Sequence, residues 1–189
     1  QIDESMWYRG TADAVWQNVP IMQEHYKPKY VLILAGDHIY KMDYMRMIRD
    51  HIDRGAKCTV GSIEVKRSEA REFGVMAVNE NLKVQEFVEK PENPPAMRDK
   101  PDHSLASMGI YVFDADYLYQ VLEEEVVREN THHDFGKDII PRALSEGVLY
   151  AHPFERSCTG RNAEVSIYWR DGGTLDSYWR THMDLVTEH

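Results

Sequence analysis

The sequence predicts an α/β protein built on a doubly wound, mostly parallel β-sheet with a small antiparallel excursion. Three observations support this class. Strand patterns alternate with helix patterns over most of the 189 residues. The segment YVLILAG, residues 30–36, is apolar without polar alternation, as expected of a central parallel strand covered on both faces. The segments between strands are long enough for the right-handed crossovers that join parallel strands.

The composition is that of an ordinary globular chain with an acidic balance. With 42% hydrophobic and 29% charged residues, the chain can bury the core of one domain. The net charge is −10, and the basic residues form no stripe, which argues against a nucleic-acid partner. No run approaches the roughly 20 apolar residues of a membrane span, and no leader pattern opens the chain, so we expect a cytoplasmic protein without membrane contact. Cys58 and Cys158 have no CxxC spacing and indicate neither a zinc site nor a disulfide framework.

The chain before residue 36 predicts one helix and then the apolar strand. Thr11 is a suitable N-cap, and apolar residues then recur at helical spacing as far as Tyr26. Pro20 lies inside this pattern and removes a backbone hydrogen bond. We therefore expect a kink there or a shorter helix.

A second helix and a second strand follow. The helix is predicted from about Asp43 to Arg54, because Gly55 can adopt the left-handed conformation that ends a helix. Its predicted buried face consists of Tyr44, Met45, Ile48 and Ile52. The segment KCTVGSIEV, residues 57–65, predicts the next strand, so that strand, helix and strand form a parallel unit.

The middle third predicts the antiparallel excursion. Residues 74–91, GVMAVNENLKVQEFVEKP, have the pattern of two short strands around a turn at residues 79–81. Four of the eight prolines fall within residues 91–101, which predicts an irregular surface loop. The segment SLASMGIYVF, residues 104–113, returns to the strand pattern.

The last third alternates helices with one strand. Asp114 can cap a helix over residues 115–125. The predicted buried stripe of that helix consists of Tyr117, Leu118, Val121 and Leu122. A further helix around residues 135–147 precedes a strand at residues 148–154, and Thr174 can cap the final helix.

Polar residues that could bind a metal ion or a phosphate lie where predicted strands end. Asp37 ends the apolar strand, at the edge where open parallel sheets bind ligands, and a carboxylate there can meet a hard cation such as Mg²⁺. Capping a turn is the alternative, and the local sequence does not decide between them. Asp171 precedes two glycines that allow close backbone approach to a ligand, although a simple turn explains them equally. Lys90, after Glu89, can neutralise a phosphate or remain solvated.

Seven motifs follow one another along the chain: WYRGTADAV, GDHIYKMDY, FGVMAV, EFVEKP, SMGIYVFDADYLY, HDFGKDIIP and YWRDGGT. In this order and spacing they resemble the catalytic domain of the bacterial ADP-glucose pyrophosphorylases, the glucose-1-phosphate adenylyltransferase family. The strand ending in Gly-Asp and the VEKP motif are shared by all sugar-nucleotide pyrophosphorylases, whereas WYRGTADAV, GDHIYKMDY and HDFGKD resemble the ADP-glucose enzymes. The resemblance covers essentially the whole chain and implies a Rossmann-like nucleotide-diphospho-sugar transferase fold.

The resemblance implies adenylyl transfer from ATP to α-D-glucose 1-phosphate, giving ADP-glucose and pyrophosphate for glycogen biosynthesis. Such in-line chemistry depends on positioning and charge neutralisation. The resemblance makes Asp37 and Asp171 the catalytic residues that hold Mg²⁺. It places Lys90 on the phosphate of glucose 1-phosphate, with Glu89 and Ser107 on the glucose hydroxyls. The other implied substrate-binding positions are Tyr8, Gly74, Tyr111, Asp134, Phe135 and Trp169.

The resemblance also implies parts that this sequence does not contain. The family begins with a glycine-rich, arginine-containing loop around the ATP phosphates and continues into a left-handed β-helix domain that builds a homotetramer and the allosteric site. We therefore expect residues 1–189 to be a partial catalytic domain that is inactive or nearly so by itself, because a glycine-rich cradle supplies backbone donors that side chains elsewhere do not replace.

Several alternatives remain open from the residues. The protein could be a UDP-glucose or dTDP-glucose pyrophosphorylase, or a non-catalytic regulatory subunit that binds a sugar nucleotide. The presence of Asp37, Asp171 and Lys90 argues against the regulatory subunit. Without the resemblance, the residues themselves favour a core role for Tyr111, Phe135 and Trp169. The adjacent histidines of THHDF indicate a polar loop, because neighbouring side chains do not easily converge on one metal ion.

Overall fold

The computed structural model describes residues 7–159 and 168–187 and has the predicted α/β architecture. The strands are β1 (Tyr30–Leu34), β2 (His38–Tyr40), β3 (Cys58–Lys66), β4 (Gly74–Val78), β5 (Val84–Glu89), β6 (His103–Asp114), β7 (Leu149–Pro153) and β8 (Trp169–Asp171). The α-helices are α1 (Thr11–Trp16), α2 (Val19–Ile21), α3 (Tyr44–Asp53), α4 (Ala115–Val126), α5 (Ile140–Ser145) and α6 (Leu175–Thr187). Met22–Tyr26 and Phe135–Ile139 are π-helical, and Ala70–Glu72 and Phe154–Arg156 are 3₁₀ turns.

Six strands form one mixed sheet in which β1, β3 and β7 run in the same direction. The long strand β6 lies between β1 and β3 and is antiparallel to both. Among the described strands, only the pair β3–β7 has a parallel ladder. The α/β class is therefore confirmed, and β1 and β3 run in the same direction as predicted, although β6 lies between them and they form no direct ladder.

Helices cover both faces of this sheet, as predicted for a doubly wound architecture. Side chains of β6 alternate between two hydrophobic clusters: Tyr111 and Phe113 pack with residues of α4 and α5, whereas Met108 and Ile110 pack with Met47 of α3. All five residues are buried. This alternation is the period-two pattern of a strand, and it makes β6 the central wall of the core.

The antiparallel excursion is confirmed and continues the main sheet. Strand β4 pairs with both β5 and β6, all antiparallel, and Gly74 stands opposite Glu89. Asn79 closes the turn between β4 and β5, because its side-chain Oδ1 accepts from the backbone N–H groups of Asn81 and Lys83, each at 3.0 Å. Residues 91–101 form neither helix nor strand, as the prolines predict.

The first helix is interrupted, as predicted from Pro20. α1 ends at Trp16, and α2 begins at Val19 with Pro20 in its first turn, where a missing N–H is tolerated. Thr11 is not the N-cap of α1, since Gly10 occupies that position.

The bounds predicted for the second helix are confirmed, but its predicted buried face is only partly correct, because Tyr44 is half-buried and Ile48 packs against the cluster around Met108. Met47 and His51 are buried, whereas Met45 and Ile52 are exposed. These two buried residues have the spacing i, i+4 of one helix face, and neither belongs to the predicted set. His51 is accommodated because its Nδ1 lies 2.8 Å from the hydroxyl of Thr59.

Strand β1 is less buried than predicted. Its first four residues are half-buried and Leu34 is exposed. Within the described part of the chain, β6 is the one strand paired with β1. The other edge of β1 therefore lacks the cover that a central strand would have.

Candidate active site

A two-stranded ladder brings the two predicted metal carboxylates together. Strands β2 and β8 pair antiparallel, with His38 opposite Asp171. The turns that carry the carboxylates are also tied to each other, because Gly172 donates its N–H to the carbonyl of Asp37 at 2.9 Å. β2 was not predicted from the sequence, which indicates no element between Gly36 and the helix expected from about Asp43.

Oxygen and nitrogen donors converge at this ladder. One donor atom each from Asp37, His38 and Asp171 lie within 4.8 Å of one another. Nε2 of His38 is 3.5 Å from Oδ1 of Asp37 and 3.6 Å from Oδ1 of Asp171. The Asp37 side chain is 57% exposed and that of Asp171 is 29% exposed, whereas that of His38 is only 10% exposed.

The chemistry of this pair suits a hard divalent cation. Within the described ranges, neither carboxylate forms an ion pair with a lysine or an arginine. Two negative groups held this close repel each other unless a cation lies between or beside them. Mg²⁺ typically takes one or two protein carboxylates and completes its shell with water and substrate phosphates, which partly exposed carboxylates permit.

Gly172 is required for the close approach of the two turns. A Cβ built at Gly172 would lie 2.8 Å from the carbonyl oxygen of Asp37, closer than side chains and backbone normally approach. The next residue, Gly173, donates its N–H to Oδ1 of Asp171 at 3.0 Å and so fixes that carboxylate.

A second group of predicted site residues surrounds Glu89. Gly74 stands opposite Glu89 in the β4–β5 ladder, and a Cβ at Gly74 would lie 2.8 Å from Oε2 of Glu89. A Cβ at Gly136 would lie 2.6 Å from the same oxygen. The Glu89 carboxylate thus occupies space that two glycines leave free.

The electrostatics of this group centre on the Glu89 carboxyl. Burial raises the pKa of Glu89, and the neighbouring carboxylate of Asp134 raises it further, while Lys90 and Lys137 lower it. Lys90 has a left-handed backbone with a φ of 47°. This conformation is uncommon for residues other than glycine, and such residues cluster at functional sites.

Three aromatic residues predicted from the resemblance are buried. The ring of Tyr111 stacks on that of Phe135 with centroids 5.5 Å apart. Burial raises the pKa of Tyr111 well above its usual range. Trp169 packs in the second hydrophobic cluster. All three rings are therefore part of the hydrophobic core of the described residues.

Asp134 and Phe135 are held by the start of α1. Oδ2 of Asp134 accepts a hydrogen bond from the Thr11 hydroxyl at 3.0 Å, and the same hydroxyl oxygen accepts from the N–H of Phe135 at 3.0 Å. Oδ1 of Asp134 caps the following turn by accepting from the N–H of Lys137 at 3.1 Å. Sequence reasoning treated Thr11 as a helix cap and missed this link.

Trp169 connects the two groups into one site. Its ring lies edge-on to His38 and to Phe73, with centroids 5.2 Å apart in both pairs. Phe73 directly precedes Gly74, and its carbonyl accepts from the N–H of Lys90 at 3.1 Å. Tyr8 is exposed, and among the described residues no hydrogen bond, ion pair or ring contact joins it to either group.

The fold and this cluster of donors define an α/β protein with a candidate cation site at the β2–β8 ladder. The family profile of nucleotidyl transferases matches residues 2–188, and the chain belongs to that family. Among its relatives, the glucose-1-phosphate adenylyltransferases of Haemophilus influenzae, Pasteurella multocida and Histophilus somni are 71%, 72% and 69% identical to it. Each match covers 100% of this chain and 43% of the relative, so the chain spans less than half the length of these proteins.

None of the helices within residues 7–159 and 168–187 is both long and apolar enough to cross a membrane.

Proposed function

We propose that the chain is part of the catalytic domain of a glucose-1-phosphate adenylyltransferase, which converts ATP and α-D-glucose 1-phosphate into ADP-glucose and pyrophosphate. The observation that carries this proposal is the convergence of Asp37 and Asp171, from distant parts of the sequence, on one ladder. The names of relatives at 69 to 72% identity support the choice of substrates.

In this proposal Asp37 and Asp171 hold Mg²⁺ and are the catalytic residues. A bound Mg²⁺ ion would neutralise part of the negative charge on the substrate phosphates. The residues of the chain keep the two carboxylates at a common point, because the ladder sets their spacing and Gly172 lets the turns meet. The protein takes little part in covalent chemistry, and its main contribution is to position the two substrates.

The Glu89 group is proposed to bind glucose 1-phosphate. Lys90 neutralises the sugar phosphate as a compact positive charge. Glu89 and Ser107 hydrogen-bond to the glucose hydroxyls, and the glycines beside Glu89 leave space for that carboxylate. The remaining positions proposed to complete the substrate site are Tyr8, Gly74, Tyr111, Asp134, Phe135 and Trp169.

The longer protein is proposed to act in glycogen biosynthesis in the cytoplasm, as an allosteric homotetramer. The coverage of only 43% of each relative supports a longer chain. Residues 1–189 would then be a partial catalytic domain. Mixed with ATP, Mg²⁺ and glucose 1-phosphate, this segment by itself should release little pyrophosphate.

The proposal is tested by removing the charge of one carboxylate at a time. In the longer protein, Asp37→Asn and Asp171→Asn should each lower turnover on the order of 100-fold or more, with an unchanged circular dichroism spectrum. Asp53→Asn is the matched control, because Asp53 is exposed on α3 and outside the site. Near-normal turnover of either site variant would remove the metal role.

A nucleotide competition assay separates the substrate classes. Pyrophosphate release with ATP, UTP and dTTP in turn should be fastest with ATP. Preference for UTP or dTTP would instead assign the protein to the UDP-glucose or dTDP-glucose pyrophosphorylases.

A further inference from the structure

We propose that a pocket between residues 67–71 and residues 93–94 binds a small phosphate-bearing anion. The pocket has a volume of about 210 Å³ and is lined by Arg67, Ser68, Arg71, Asn93 and Pro94. None of the residues of the candidate active site lines it. This inference goes beyond the proposed function and does not depend on it. Its evidence is the charge and the hydrogen bonding of the side chains that line the pocket.

Two loop segments form the walls of the pocket, and Arg67 joins them. Residues 67–71 follow β3, and the N–H of Arg67 donates to the carbonyl of Asp102 at 2.9 Å. Asn93 and Pro94 belong to the proline-rich loop. Nε of Arg67 donates to the carbonyl of Pro94 at 2.6 Å, and its Nη2 donates to Oδ1 of Asn93 at 3.3 Å. The guanidinium of Arg67 is therefore held in place by the protein itself.

The positive charges at this pocket are not neutralised by the protein. The Arg67 side chain bonds only to two neutral oxygens. Among the described residues, neither Arg67 nor Arg71 forms an ion pair with a carboxylate. Three exposed glutamates are close in the sequence but do not line the pocket: Glu69, Glu72 and Glu92. Two uncompensated guanidinium groups at one pocket favour the binding of an anion there.

The donors at the pocket suit a phosphate group better than a carboxylate. Each guanidinium is a planar fork of N–H groups that matches phosphate oxygens. The Ser68 hydroxyl can also donate, and so can the side-chain N–H groups of Asn93, because its Oδ1 already accepts from Arg67. A phosphate group offers three acceptor oxygens and up to two negative charges, whereas a carboxylate offers two oxygens and one charge. Two positive charges with additional neutral donors therefore match a phosphate.

The size of the pocket limits the ligand to a small molecule. A water molecule occupies about 30 Å³ of the liquid, so about 210 Å³ accommodates a phosphate group with bound water or a small phosphate monoester. Pockets for drug-sized ligands typically start at about 300 Å³. Inorganic phosphate and the phosphate monoester of a small metabolite share the group that this pocket recognises. They are compared in separate titrations below.

The pocket is close to Lys90 along both of its walls. Asn93 is in the loop that follows Lys90, and Arg71 precedes Phe73, whose carbonyl accepts from the N–H of Lys90 at 3.1 Å. Lys90 is itself proposed to bind the phosphate of a substrate. An experiment on this pocket must therefore distinguish a phosphate bound there from one bound at Lys90.

The test titrates inorganic phosphate into the isotope-labelled chain at constant ionic strength and follows backbone amide resonances by NMR. The amides of residues 67–72 and of Asn93 should shift. Arg71→Gln should bind phosphate about tenfold more weakly, because it removes a charge-assisted contact. Arg98→Gln is the matched control, because Arg98 is exposed on the same proline-rich loop and outside the pocket. Its phosphate affinity should equal that of wild type, and Lys90→Gln should retain the shifts.

Two further titrations define the ligand class. Glycerol 3-phosphate should shift the same amides as inorganic phosphate, and the tighter binder of the two identifies the source of the phosphate group. Acetate at the same ionic strength should bind about tenfold more weakly than phosphate, because it has fewer oxygens and less charge. Arg67→Lys keeps the positive charge without the planar fork and should also weaken phosphate binding.

Four results would overturn the proposal: no shift at these amides, unchanged phosphate affinity in Arg71→Gln, equal affinity for acetate, or loss of the shifts in Lys90→Gln. Arg71 is exposed, so the glutamine variant should keep the fold. Asp37→Asn and Asp171→Asn, which test the proposed function, should leave phosphate binding at this pocket unchanged. The anion pocket and the proposed adenylyl transfer can therefore fail separately.

Discussion

Replacing Gly10 by alanine should destabilise the chain for a purely steric reason. The backbone of Gly10 is extended, with a φ of 178°, which alanine adopts without strain. A Cβ at this position would lie 2.8 Å from the carbonyl oxygen of His132 and well inside contact distance of the carbonyl of His133. The His133 carbonyl also accepts from the N–H of Ala12 at 2.8 Å, so moving it away breaks that hydrogen bond.

The expected loss follows from these two effects. Overpacking a well-packed site costs about 1–3 kcal/mol, and a lost backbone hydrogen bond costs about 1 kcal/mol. Gly10→Ala should therefore lower the free energy of unfolding by about 2–4 kcal/mol. For a chain of this size, that corresponds to a fall in Tm of roughly 5–15 °C. Urea unfolding followed by tryptophan fluorescence measures the change directly, since the chain has four tryptophans.

Gly36→Ala is the matched control for Gly10→Ala. A Cβ at Gly36 has no atom within 4 Å, and Gly36 does not have the positive φ that would strain alanine. This variant should unfold within about 0.5 kcal/mol of wild type. If Gly10→Ala were equally close to wild type, the close packing of α1 on the segment before Asp134 would be refuted.

Two further predictions concern buried titratable side chains. Burial raises the pKa of Glu89, so the folded state disfavours the charged carboxylate. The protonated side chain therefore contributes its full stability at low pH, and this contribution is lost as pH rises through the folded-state pKa. Glu89→Gln should therefore be more stable than wild type at pH 8 and nearly equal at pH 4 in urea unfolding, and equal stability at pH 8 would contradict this. Burial lowers the pKa of His51 from 6.5 to about 4. The neutral imidazole therefore contributes on the order of 3 kcal/mol to the free energy of unfolding above pH 6.5, and this contribution is lost as pH falls toward 4. His51→Gln should show a shallower loss of unfolding free energy between pH 7 and 4, and an unchanged slope would refute the assignment.

Local patterns in the sequence predicted most of the elements but not how the strands are ordered. Hydrophobic periodicity and turn residues gave the β4–β5 hairpin and the bounds of α3, because these depend on neighbouring residues. The placement of β6 between β1 and β3 depends on pairings between distant segments, which no local pattern encodes. The strand β2 was missed for the same reason, since it has only three residues and its partner lies far along the chain.

Polar side chains show a similar division between local and tertiary effects. Thr174 caps α6 as predicted, with its hydroxyl oxygen accepting from the N–H of Ser177 at 3.1 Å. Asp114 occupies the N-cap position of α4 as predicted, yet its carboxylate accepts from Nζ of Lys57 at 2.7 Å and makes no hydrogen bond to the helix N–H groups. Thr11 likewise bonds to a distant partner. The side chain of a residue at a helix start has several possible hydrogen-bond partners. A charged or buried group from elsewhere in the fold can take the place of the backbone N–H of the helix.

The resemblance to a family identified the charged residues of the candidate site, but not the spaces in which they lie. Gly74 and Gly136 leave space for the carboxylate of Glu89, and Gly172 lets its turn approach the carbonyl of Asp37. In each case the missing side chain sets the distance between a carboxylate-bearing segment and its neighbour. A sequence shows each glycine without showing what lies against it. The geometry of the site therefore depends on close backbone approaches as much as on charged groups. A methyl group added at Gly74 or Gly136 would displace the carboxylate of Glu89, although the sequence would keep every charged residue of the site.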